Sequence, residues 1–201
     1  MPYGYLGAEP KQQVKNAGVL SVNDVAKLQS VGQWGGSLEL IETQIVSADT
    51  TIDFTTIHQD KYDVHKLYLD LTMTSGNVAC RFYETGTLET ASVYEFAGWY
   101  NRSSNVHGSS RGSSQAYILL SSHPVNGRFG SEVAFHKLGD SSHYSFSTAH
   151  TSFVNAESFN LINGGNMTQA SEVDGIRIFN TLSINMTGKA FLYGVKQTWV
   201  I

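Results

Sequence analysis

A few short constellations in this chain have spacings that could carry chemistry. Gly108-Ser109-Ser110-Arg111-Gly112 has the G-x-S-x-G spacing of a serine-hydrolase elbow. That chemistry needs the serine raised on a tight strand-to-helix turn, and here a strand pattern follows instead of a helix. A flexible Ser/Gly-rich loop accounts for the match. His136, Asp140 and His143 lie close together around an expected turn. The chain has no H-x-H or H-E-x-x-H spacing, and Cys80, its single cysteine, cannot build a thiolate site. No metal and no cofactor is expected. Glu84, Glu89, Glu95, Glu132 and Glu157 are available for two-carboxylate glycosidase chemistry, but no spacing selects a pair. No catalytic residue is assigned. A sandwich hydrolase acting on polysaccharide or ester stays as a third reading, motivated by Ser110 and these carboxylates.

Binding is better represented than catalysis. Trp99, Tyr100, Arg102, His107 and Arg111 combine flat amphipathic rings with planar guanidinium donors, which suits sugar recognition. The competing reading places Trp99 and Phe96 in the core, followed by a solvated segment. That segment, Asn101 to Ser114, is rich in Ser and Gly and reads as an exposed, mobile loop.

The elements that must position these residues are strands. Leu67, Leu69, Leu71 and Met73 alternate with polar neighbours, as do Val78, Cys80 and Phe82. Leu182, Ile184 and Met186 alternate too, and so do Phe191, Tyr193 and Val195. A period of two marks strands with one face inward. Looser strand patterns cover 38–47, 50–57, 91–99, 115–121, 131–137, 144–152 and 157–162. Turn signals stand at Ser75-Gly76-Asn77, Gly86, Asn126-Gly127, Gly139-Asp140, Asn163-Gly164-Gly165 and Thr187-Gly188. Many short strands with this punctuation predict an all-β fold, an antiparallel, jelly-roll-like β-sandwich over 37–201.

Residues 1–36 are built differently and read as an arm. Ser21 and Asp24 form a helix start, Val22, Val25 and Leu28 give a narrow apolar stripe, and Gly32 stops it. One short helix is predicted, about 22–31. Such a helix is marginal alone and needs a surface to dock on. Tyr3, Tyr5, Leu6 and Trp34 are large apolar groups outside the period-two region, and with Val22, Val25 and Leu28 they are the candidate partner-docking residues. Trp199-Val200-Ile201 ends the chain on apolar side chains.

Composition narrows the function classes. The chain has 201 residues, enough for one large domain, and a formal net charge of -4 with charged residues at 15%. No clustered Lys/Arg excess marks a nucleic-acid surface. No apolar stretch approaches the length of a membrane span, and the N-terminus lacks the pattern of a signal peptide. One cysteine allows no internal disulfide, which fits assembly in a reducing cytoplasm.

Several stretches resemble structural proteins of tailed, marine-type bacteriophages. Thr51-Ile52-Asp53-Phe54-Thr55-Thr56-Ile57, followed by Tyr62-Asp63-Val64-His65-Lys66-Leu67, is similar to an opening of that group. Asp174-Gly175-Ile176-Arg177-Ile178 and Ala190-Phe191-Leu192-Tyr193-Gly194-Val195-Lys196 look like its last strands. Gly18 to Val25 and Trp34-Gly35-Gly36-Ser37 are similar to its N-terminal segments. The resemblance implies a virion component: a tail or head fibre, an adhesin-like module or a capsid decoration protein. It implies location in the virion, contact with other virion proteins through the arm, and a homo-oligomer, with a trimer favoured. A host surface glycan is the further partner expected from Trp99 and its neighbours. The resemblance carries no catalytic residues.

Overall fold

The computed structural model describes Asn23 and residues 38–195. Apart from Asn23, the expected helix over 22–31 lies outside them. So do Tyr3, Tyr5, Leu6, Val22, Val25, Leu28, Trp34 and the stretch 199–201. From Leu38 onward every described element is a strand. In chain order these are β1 Leu38–Asp49, β2 Thr51–Phe54, β3 Val64–Met73, β4 Val78–Glu84, β5 Thr87–Leu88, β6 Tyr94–Arg102 and β7 His107–Gln115. They continue with β8 Ile118–Leu119, β9 Gly127–His136, β10 Tyr144–Asn155, β11 Glu157–Ala170, β12 Val173–Asn180 and β13 Met186–Val195.

The strands form two antiparallel sheets. One has eight strands in the order β1-β13-β3-β9-β10-β11-β6-β7, the other five, with β2-β12-β4-β5 and with β8 also paired to β4. Strands β1 to β4 alternate between the sheets, and β8, β9, β12 and β13 do the same. Two hairpins, β6–β7 and β10–β11, interrupt that alternation and lengthen only the larger sheet. The first hairpin falls between β5 and β8, which pair with opposite ends of β4 at Tyr83/Glu84 and Ala79/Cys80.

Alternation decides what is buried. Leu67, Leu69, Leu71 and Met73 of β3 meet Phe82 and Cys80 of β4, Ile176 and Ile178 of β12 and Phe129 and Phe135 of β9 in one core. The Phe82 and Phe135 rings, one from each sheet, meet edge to face at 5.8 Å. Tyr94 is fully buried, yet its hydroxyl accepts from the Phe82 amide at 3.0 Å and donates to the Glu89 carbonyl at 3.2 Å. Both polar ends are therefore satisfied, as burial requires.

Four local expectations change. The stretch Asn101–Ser114 is not a loop: it holds the end of β6, a tight turn at Ser103–Val106 and most of β7. Its glycines serve ring packing rather than mobility. A Cβ on Gly108 would lie 2.3 Å from the Tyr100 hydroxyl, and one on Gly112 would lie 2.8 Å from the Phe96 ring. Asn163-Gly164-Gly165 is mid-strand in β11, where a Cβ on Gly165 would meet Ile118 at 2.6 Å. Thr187-Gly188 lies inside β13 and close against β3. Leu182 and Ile184 precede β13: Leu182 is exposed in a turn where the Asn180 side chain accepts from its amide at 2.9 Å, and Ile184 lies in the irregular stretch that follows. Small residues and apolar alternation look the same in sequence whether they make a turn or let two chains approach closely.

Candidate functional site

Strand parity divides the residues singled out in sequence between two faces of the larger sheet. Trp99 and Asn101 project outward from β6, while Tyr100 and Arg102 turn inward. Tyr100 packs edge-on to His123 at 4.8 Å. Arg102 donates to Glu157 Oε1 at 3.2 Å and pairs with His123 Nε2 at 2.8 Å, with its guanidinium 4.8 Å above the Phe159 ring. Burial, aided by the Arg102 charge, pushes the His123 pKa down. Tyr100 and Arg102 thus belong to a packed cluster on the inner side. His107 and Arg111 are exposed on β7 and share the outer face with Trp99. His107 Nδ1 meets Asn101 Oδ1 at 2.7 Å.

The outer face is ordered in cross-strand rows. One row runs Ser109, Trp99, Ile162, His150, Glu132 and Tyr68, each paired with the next across β7, β6, β11, β10, β9 and β3. Trp99 is 70% exposed and Ile162 64%, so this row is a ridge with two apolar groups standing in water. The next row runs Arg111, Ala97, Gly164, Thr148, Ala134 and Lys66. Its four middle members are small. Beyond it, Glu95, Asn166, Phe146 and His136 form a third row, in which the His136 and Phe146 rings stack at 4.7 Å. Two bulky rows therefore enclose a row of small residues. The resulting groove has a volume of about 770 Å³ beside the Trp99 ridge and about 480 Å³ beside Phe146. A second depression of about 480 Å³ lies on the far side of the ridge, among Asn101, Ser152 and Asn160.

The charges here are mostly spoken for. Lys66 Nζ donates to Glu132 at 2.6 Å, and this bond holds the Glu132 carboxyl below the usual carboxylate range. Arg128 grips both oxygens of Asp70 at 2.8 and 2.9 Å. The Asn160 amide spans the His150 ring at 2.9 Å and Ser152 Oγ at 3.3 Å. Arg111 and Glu95 make no side-chain hydrogen bond or ion pair with the described residues.

Of the catalytic patterns, the serine and histidine ones are not assembled, whereas two of the five carboxylates, Glu84 and Glu89, do meet around the Gln169 side-chain amide, which donates to them at 2.6 and 3.2 Å. Ser110 sits on extended β7 opposite Gly98, not on a strand-to-helix turn. His136 is held by Phe146, while Asp140 and His143 pair with each other at 3.0 Å. Among the described residues no three His, Cys, Asp or Glu side chains converge as metal ligands would. The groove residues that sequence reasoning passed over are Ile162, His150, Lys66 and the small floor, while Glu132 was considered only as a catalytic carboxylate. One signal was legible: the adjacent pair Leu161-Ile162 breaks the alternation of β11, so one of two large apolar side chains had to face out. No protein-family model, curated protein or solved structure matches the chain.

Proposed function

We propose that this protein is a bacteriophage virion structural protein with a jelly-roll sandwich that displays a glycan-binding face, attached to its particle through the arm at 1–36. The glycan reading is carried by the Trp99 ridge. Trp99, 70% exposed and flanked on the same face by Ile162, His150 and Arg111, which makes no ion pair among the described residues, offers flat apolar area beside hydrogen-bonding groups. A merely structural tryptophan belongs in the core.

Strand order supports the jelly-roll reading. The sets β1-β13-β3-β9 and β2-β12-β4 with β5/β8 have the interleaving of two wrapped Greek keys. Viral capsid and lectin domains share that architecture, which is an argument by analogy of fold. The virion assignment rests on the resemblance of the 51–67, 174–178 and 190–196 stretches. Display of many copies would turn weak single-site contacts into firm attachment.

Two measurements test this reading. Glycan-array binding by the full chain is expected, and Trp99→Ala should abolish it while shifting stability by no more than about 0.5 kcal/mol, as for other surface changes. Unchanged binding by Trp99→Ala removes the glycan face. Mass spectrometry of purified particles should find the protein, and a variant lacking 1–36 should be missing from them. Normal incorporation of that variant removes the anchoring role.

A further inference from the structure

We infer that the ligand is a linear, uncharged polysaccharide lying across the strands, in the groove floored by Ala97, Gly164, Thr148 and Ala134. This rests on the glycan-binding reading above and adds the path and the chemical class. The path follows from residue size. On one face of a strand, successive side chains stand about 6.6 Å apart, so the two bulky rows are separated by roughly 13 Å with only small groups between. The row from Arg111 to Lys66 crosses five strand intervals, roughly 24 Å at the usual spacing, which is room for several sugar rings. Trp99 and Ile162 offer apolar flanks on one side, and the stacked His136–Phe146 rings on the other.

The class follows from charge and from the mix of donors and acceptors. The groove's ionic side chains are Arg111 and Lys66 against Glu95 and Glu132, which balance. Lys66 and Glu132 already neutralise each other at 2.6 Å. A polyanion would meet as many carboxylates as cations and gain nothing net. A neutral polyhydroxyl chain finds what it needs: Arg111 donates, Glu95 accepts, and Thr148 and Asn166 do both.

The test uses the full-length protein with immobilised neutral linear polysaccharides (a glucan, a mannan and a galactan) and with acidic alginate and polygalacturonate, at low and high salt. Ala97→Leu and Thr148→Leu fill the floor from exposed positions, and thermal melts confirm that both variants remain folded. At least one neutral polymer should bind, its affinity should be insensitive to salt, and each floor variant should weaken it about tenfold or more. Floor variants that bind like wild type, while Trp99→Ala does not bind, move the glycan elsewhere on the face. That result overturns this inference and leaves the broader reading standing. Binding restricted to acidic polymers and suppressed by salt overturns the class. Binding of no polymer by the wild-type chain overturns both.

Discussion

At the residue scale, the buried titratable groups give the sharpest expectations. His65 is fully buried, with Nε2 against the Ile57 carbonyl at 2.8 Å and its ring edge-on to Tyr62. Burial lowers its pKa, opposed by the Ile57 hydrogen bond. The unfolded imidazole takes up a proton near its ordinary value of about 6.5, whereas the folded one resists. Its contribution to stability is therefore complete above that pH and is lost as pH falls below it. Melting temperature should decline through the mildly acidic range, and His65→Gln, though less stable at neutral pH, should show a shallower decline. Some slope should remain, because burial also lowers the pKa values of His123 and His136. An unchanged slope in the variant would remove His65 as its source. Cys80 offers an independent probe. It is wholly buried between the sheets, and burial pushes its thiol up to about 12. A maleimide should leave it untouched in the native protein and label it fully in denaturant, since thiolate and access are both required. Rapid native labelling would mean that the core opens locally.

At the element scale, the close approach of β13 to β3 is the most demanding feature. Gly188 holds φ at +148°, and a Cβ there would lie 2.0 Å from the Asp70 backbone oxygen. Gly188→Ala should therefore destabilise the protein by at least about 2 kcal/mol, through backbone strain and overpacking together. Denaturant titration would measure this, and a loss below about 0.5 kcal/mol, the range of an ordinary surface change, would mean that the strands can separate there at little cost. The β6–β7 hairpin makes the related point about reading sequence. Gly108 and Gly112 look like loop glycines until the Tyr100 and Phe96 rings are seen lying over them. Sequence proximity cannot show that, because the rings belong to the partner strand. The alternation in β3 and β4 was legible, because it needs only neighbours in the chain and a single buried face.

At the scale of the whole molecule, the connections are long. β1 pairs with β13, joining Leu38 to Val195 and Ile45 to Lys189. β2 pairs with β12, joining Asp53 to Arg177, whose guanidinium grips that carboxylate at 2.6 and 2.9 Å. Loop closure must precede most of these contacts, so refolding should take roughly milliseconds to seconds or longer, as for other all-β topologies. Stopped-flow circular dichroism would check this, and completion within microseconds would contradict it. The groove has a related origin. Most of its walls and floor come from β6, β7, β10 and β11, the two hairpins added to an alternating eight-strand frame. Function carried on additions to a sheet is a common division of labour between scaffold and site.

Sequence by itself determined that the chain from 38 onward would be built mainly of strands with one inward face, that turns would fall near Ser75-Gly76-Asn77, Gly86, Asn126-Gly127 and Gly139-Asp140, and that Trp99 would sit near a polar, glycine-rich stretch. These are local properties, set by side-chain alternation and turn chemistry within a few residues. Only the tertiary structure decided which way Trp99 faces, that Tyr100 and Arg102 lie behind the sheet, and that Ile162 and His150 stand beside Trp99. The physical reason is register. A shift of one residue between strands turns every side chain to the other face, and register is set by packing across both sheets rather than by any stretch of chain. The opening candidates therefore stand in a neighbourhood that no spacing along the chain could specify.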